Sequence, residues 1–171
     1  MSLNAIVAVD GRFGIGANND MPWPRNKSDM RWFREHTMDG VVVMGRRTWQ
    51  SIGSKNLPGR INAVVTSGDV SNPVPRGNPA VERPHWVLAG DMKDVLWDLE
   101  RMYFGKNIWV IGGGEVYRQA LQYVDNLYLT TIPGKFDCDV FLDKREVDKF
   151  AHVIYKDKAD DGTIFEIRGK F

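Results

Sequence analysis

The stretch IWVIGGGEVYRQAL, residues 108–121, passes from a short apolar run through three glycines into a segment rich in helix formers. An apolar run without alternation suits a central strand covered on both faces, as in a mostly parallel sheet. The glycines strip every side chain from the joint. Backbone N–H groups can then approach an anion closely, and the start of the following helix adds partial positive charge. Glycines at such a joint also serve tight geometry with no ligand at all, and both readings stand at this point. The stretch is not a G-x-G-x-x-G fingerprint, and the Gly-Lys pairs at 105–106 and 134–135 do not complete a Walker pattern.

Outward from this joint, further Val- and Ile-rich runs occur at 5–9, 41–44, 61–66 and 126–132, each bounded by Gly, Pro, Asn or Asp. They predict strands. Ser28 to Thr37 predicts a helix capped by Ser28, and Met92, Val95, Leu96 and Leu99 form a core-facing helical stripe. Two more helices are expected after Gly45 and after Gly114. Alternating strands and helices define an α/β sheet. The C-terminus departs from this, with strands near 151–156 and 163–168 around an Asp160-Asp161-Gly162 turn, an antiparallel hairpin. The Pro-rich segment 68–84 reads as a long surface loop. As a domain boundary it would leave only half a sheet on either side, so one domain over 1–171 is expected.

A length of 171 residues is enough to bury a core without disulfides or a structural metal. The lone Cys138 can form no internal bridge, and His36, His85 and His152 lie far apart, so no metal site is expected. That cysteine usage favours a reduced, cytoplasmic setting. With 23 Lys and Arg against 22 Asp and Glu, the net charge of +1 argues against a nucleic-acid partner. No apolar run approaches the roughly 20 residues of a membrane span. The MSLNAIVAVDG start does not resemble a secretory signal, so the mature chain is expected to begin there.

A second strand-to-helix joint lies in VVVMGRRTWQSI, 41–52, where Gly45 leads into Arg46, Arg47 and Thr48. Two guanidiniums beside a helix start suit a phosphate monoester, which points to the 2′-phosphate of NADP; a solvated surface pair is the plainer reading. Ligands of open α/β sheets collect at the carboxyl ends of strands, where both joints belong. Asp29 sits near the start of a helix on one face with Phe33, beside Trp32. In a closed cleft its carboxyl would be raised in pKa and could serve a nitrogen heterocycle, whereas in solvent it would only complement the helix dipole. The Gly- and Asn-rich GIGANNDMPWP, 14–24, can be a loop that closes with Met21 and Trp23, or a passive turn. LPGR, 57–60, places Arg60 at a strand start, where it can grip a carboxylate or face solvent.

Taken in order, NAIVAVD (4–10), GIG and DMPW (14–23), SDMRWF, VVVMGRRTWQSIG, LPGR, VVTS (64–67), WVIGGGEVY, LYLTTI (127–132) and FDCDVF (136–141) resemble the dihydrofolate reductase family across nearly the whole chain. The resemblance implies a single-domain, eight-stranded, mostly parallel sheet with an antiparallel C-terminal strand and about four helices. It implies NADPH-dependent reduction of 7,8-dihydrofolate to tetrahydrofolate, by hydride transfer to pterin C6 with protonation at N5, in support of one-carbon metabolism and thymidylate synthesis. Antifolate inhibitors, a cytoplasmic location and a monomer are expected with it.

On the same resemblance, Asp29 is the acid that grips the pterin and Thr130 its buttress, with Met21, Trp23 and Tyr117 completing the catalytic set. Met30, Phe33, Ile52 and Leu57 wall the pterin and p-aminobenzoyl rings, Arg60 meets the glutamate α-carboxylate, and the backbones of Ile6 and Ile111 face the pterin edge. Ala8, Ile15 and Gly16 border the nicotinamide. Gly45, Arg46, Arg47 and Thr48, with Gly113, Gly114, Glu115, Val116 and Tyr117, hold phosphates and ribose, and Thr66 and Ser67 flank the 2′-phosphate. The PRNKS spacing between Trp23 and Asp29 is one residue longer than in some members, and 68–84 is long for the family.

Same-fold reductases of a ribosylamino-pyrimidine also use NADPH but lack the acid corresponding to Asp29. A noncatalytic NADPH-binding protein would need neither Asp29, nor Arg60, nor the closing loop, and a nucleic-acid module would need a basic stripe.

Overall fold

The computed structural model describes residues 2–16, 20–67 and 83–170. Among these residues eight strands form one sheet: β1 (Leu3–Val9), β3 (Val41–Gly45), β4 (Ile61–Val65), β5 (Trp86–Leu88), β6 (Ile108–Gly112), β7 (Asn126–Thr131), β9 (His152–Lys158) and β10 (Ile164–Gly169). Their order is β5-β4-β3-β6-β1-β7-β10-β9. Every pairing from β5 to β7 is parallel, while β10 runs antiparallel to both of its neighbours. The expected sheet is therefore present, and only β10 runs against the rest. A separate two-stranded ribbon joins β2 (Gly14–Gly16) to β8 (Val140–Phe141).

Among the described residues five helices accompany the sheet, one more than expected: α1 (Lys27–Thr37), α2 (Arg46–Ser51), α3 (Met92–Met102), α4 (Gly114–Ala120) and α5 (Lys144–Asp148). The extra helix, α5, has only five residues, too few to show a hydrophobic period. The same brevity hid β2, β5 and β8, of two or three residues each. The expected cap of α1 shifts. Asn26, in extended backbone, accepts from the Asp29 N–H at 2.9 Å, which places Ser28 inside the first turn.

Val41, Val42, Val43 and Met44 have no exposure at all, so this unbroken apolar run is indeed a strand covered on both faces. One face packs under α3 and α4, with Met92, Val95, Leu96 and Leu99 buried as the stripe required. The other holds Ile6, Val42, Met44, Trp49, Val64 and Trp109, against which Trp32 and Phe33 of α1 pack. The C-terminal hairpin turns at Gly162, where φ is +91°. Most of the Pro-rich segment, 68–82, lies outside the described residues, as do 17–19 of the GIGANND loop.

Candidate active site

β3 and β6 are neighbours in the sheet, so the two glycine joints at their carboxyl ends lie side by side. A methyl group on Gly45 would come 3.1 Å from Val116 Cγ2, and one on Gly113 would come 3.4 Å from Thr48 Oγ1. A side chain at 45 would therefore crowd the other joint, whereas one at 113 would make ordinary contact with it. The cradle they form is lined by Gly45, Thr48, Gly113 and Val116, with Arg46 and Arg47 exposed at the first turn of α2. Gly112 stands at φ +117°, with the Tyr117 ring 3.1 Å from where its Cβ would be, so only glycine suits this position. Thr66 and Ser67 continue from β4, and the Thr66 N–H bonds the Leu88 carbonyl at 2.9 Å.

Glu115 departs from a simple ligand role. Its carboxylate is engaged by Arg118 and, at 2.8 Å, by Gln119 on the exposed side of α4; the Arg118 hydrogen bond comes first among the causes that hold its pKa down at about 2. Its backbone remains at the helix start.

Asp29 lies half-buried in the first turn of α1, and burial pushes its carboxyl pKa up. The Thr130 hydroxyl pulls in the opposite direction from nearby. Ordinary hydrogen-bond geometry gives that hydroxyl no partner: Thr130 Oγ1 is one of the buried polar atoms left unsatisfied among the described residues. β7 places Thr130 beside Ala8 of β1. Tyr117 is buried, and burial and then the nearby Asp29 charge drive its phenol well above the ordinary range. The phenol donates to the Ile6 carbonyl at 2.7 Å. Asp29, Thr130, Tyr117, Ile6 and Ala8 therefore come from α1, β7, α4 and β1 to one place.

The expected apolar walls also converge. Ile6, Phe33, Ile52, Leu57 and Ile111 share one cluster on the α1 face of the sheet. Met30 is more open, 43% exposed, with the Arg25 Nε donating to its sulfur at 3.1 Å. Arg60 is buried; its Nε donates to the Pro58 carbonyl at 2.9 Å, its Nη1 to Thr37 Oγ1 at 3.1 Å, and its guanidinium lies 5.9 Å from the Phe33 ring centroid. A cavity of about 410 Å³ opens at this end, lined by Leu57, Arg60, His85 and Lys106 among others.

On the other side of the joints, Ile15 and Val140 of the β2–β8 ribbon lie over the start of α4. A methyl on Gly114 would meet Val140 Cγ1 at 2.5 Å and Ile15 Cδ1 at 3.8 Å. Gly16 pairs with Val140. Trp23 is buried, with its ring edge-on to Phe136 at 6.0 Å, whereas Met21 is 53% exposed. Two residues at the site escaped sequence reasoning. Asn26 caps the helix that carries Asp29, and its Nδ2 donates to Thr163 Oγ1 at 2.9 Å. Asp10, read only as the end of an apolar run, is buried and holds the ribbon. An Asn-x-x-Asp spacing before an apolar helix was the available signal for the first; the second left none.

The fold and the paired glycine joints define an open-sheet α/β protein with a bare backbone cradle beside an acid-bearing apolar cleft, where open sheets collect ligands. A family model described as dihydrofolate reductase matches residues 2–168. The chain is 34% identical to the dihydrofolate reductase of Mus musculus over 86% of this chain and 82% of the relative. It is also 34% identical to that of Drosophila melanogaster, over 82% and 79%. In fold it is similar to a solved dihydrofolate reductase from Enterococcus faecalis complexed with NADP(H), with TM-score 0.75, 23% identity and coverage of 98% and 95%. The chain belongs to the dihydrofolate reductase family, a family of NADP-dependent oxidoreductases.

Proposed function

We propose that the chain reduces 7,8-dihydrofolate to 5,6,7,8-tetrahydrofolate with NADPH, in the cleft between α1 and the carboxyl ends of β1, β3 and β6. The observation that carries this reading is the half-buried Asp29, raised in pKa and set with Thr130 and Tyr117 next to the glycine cradle. A carboxyl so placed is suited to hydrogen-bond the 2-amino and N3 side of a pterin and to favour its protonation at N5.

The residues present fit NADPH. A Cβ on Gly45 would crowd Val116 at 3.1 Å and one on Gly113 would touch Thr48, so the joints offer bare backbone, and exposed Arg46 and Arg47 offer paired guanidiniums to a phosphate monoester. NADPH supplies the hydride when bound. Thr48, Gly113, Gly114, Val116 and the Glu115 backbone would hold the pyrophosphate and ribose, with Thr66 and Ser67 at the 2′-phosphate. Ala8, Ile15 and Gly16 would border the nicotinamide, and Met21 and Trp23 would exclude water. Phe33, Ile52, Leu57 and Met30 would wall the folate rings, the Ile6 and Ile111 carbonyls would face the pterin, and Arg60 would meet the glutamate α-carboxylate. Antifolate inhibitors would compete for this cleft.

The test is loss of reduced-nicotinamide absorbance on mixing the protein with NADPH and dihydrofolate. Turnover abolished by antifolate is expected. No turnover at any pH overturns the proposal.

A further inference from the structure

Asp10 directly follows β1 and is 1% exposed, a charged group that is costly to bury unless its lone pairs are filled. They are filled from two distant parts of the chain. Oδ1 accepts the N–H groups of Arg12 at 2.8 Å and Gly14 at 2.9 Å. Oδ2 accepts the Phe136 N–H at 2.9 Å and faces the Cys138 thiol at 3.6 Å. Among the described residues its partners are these donors, and none of the salt bridges includes it. Only a carboxylate has acceptor capacity on both of its terminal atoms; an amide of the same shape would turn NH₂ toward one pair of donors.

The two segments joined in this way become the β2–β8 ribbon. Backbone bonds continue the closure: Gly11 N–H to Gly134 O at 2.9 Å, Leu142 N–H to Phe13 O at 2.9 Å, and Asp139 N–H to Gly16 O at 2.8 Å. Gly14 is squeezed between them, since a Cβ there would lie 2.3 Å from Cys138 Sγ. The ribbon rests on Gly114 through Val140 and Ile15.

We propose that Asp10 is a positioning residue for the cofactor site: its carboxylate clasps the 10–14 turn to 136–138 and thereby holds Ile15 and Gly16 over the start of α4. This rests on the NADPH site of the proposed function. Asp10 itself touches neither substrate nor cofactor in that reading.

The experiment compares Asp10→Asn, Gly14→Ala and Cys138→Ala with wild type, by amide hydrogen exchange on the ligand-free protein and by separate titrations with NADPH and dihydrofolate. Loss of charged hydrogen bonds in Asp10→Asn is expected to speed exchange across 11–16 and 134–142 and to weaken NADPH about tenfold. Exchange in β3 and β6, and dihydrofolate affinity, should stay near wild type. Gly14→Ala should reproduce this with the carboxylate intact, because the methyl forces the segments apart, and it carries the test if Asp10→Asn does not fold. Cys138→Ala removes the weakest donor and should have the smallest effect. Equal weakening of both ligands, exchange that rises throughout the sheet, or no change in the ribbon overturns the assignment. A wild type that binds no NADPH removes the proposed function as well; one that binds NADPH as well as its variants do removes only this inference.

Discussion

The phenolic oxygen of Tyr117 and the carbonyl of Ile6 are joined by a 2.7 Å hydrogen bond inside the protein. It ties α4, which begins at the glycine cradle, to β1, which floors the cleft. The phenol is driven above its ordinary pKa, so it stays a neutral donor at working pH. Tyr117→Phe should lower unfolding free energy by about 1 kcal/mol, the usual worth of a buried hydrogen bond, and should reduce kcat/KM. Denaturant melts beside steady-state kinetics check this; unchanged stability would mean the bond contributes nothing net.

Asp29 makes activity and stability pull apart. Burial first, against the Thr130 hydroxyl, raises its pKa in the folded chain. A group raised on folding favours the fold fully below its unfolded value of about 3.9, and that support is lost as pH rises through the folded pKa. Asp29→Asn removes the charged form, so the variant should be more stable than wild type at neutral pH, and the gap should close as pH falls toward about 4. Its kcat/KM should fall roughly 10²- to 10⁴-fold near neutrality. Thermal melts across pH and turnover of both proteins provide the measurement. A variant of wild-type activity would remove Asp29 from the chemistry.

Arg46 and Arg47 are both exposed at the start of α2. Replacing both by Ala should leave folding nearly unchanged, as surface positions generally do, and weaken NADPH far more than NADH. Titration with the two nucleotides separates the outcomes. Equal losses would show that neither arginine reads the 2′-phosphate.

Arg60 is held in place by the Pro58 carbonyl and Thr37 Oγ1 before any ligand arrives. A lysine has one compact ammonium and cannot keep both contacts while offering a planar fork. Arg60→Lys should therefore raise the KM for dihydrofolate with little change in kcat, whereas a truncated substrate lacking the glutamate should not distinguish the two proteins. Discrimination retained on the truncated substrate would place Arg60 in a purely structural role.

How far the sequence reaches can be seen residue by residue. The unbroken run Val41 to Met44, the stripe at Met92, Val95, Leu96 and Leu99, and the glycines at 112–114 announce buried strands, a covered helix and a bare joint, because burial and backbone freedom act locally on residue type. Asp29 beside aromatic residues and the paired Arg46 and Arg47 suggest chemistry for the same reason, from residue type and local spacing. The sequence alone leaves undecided whether the joints at Gly45 and Gly113 face one another; that follows from β6 lying beside β3, a pairing of strands more than 60 residues apart. It also gives no warning of Asp10. That carboxylate takes its meaning from N–H groups at 136 and 14, and a hydrogen bond between distant segments leaves no period in the chain. Local physics is written along the sequence, but which donors meet which acceptors is settled only when the sheet order brings them together.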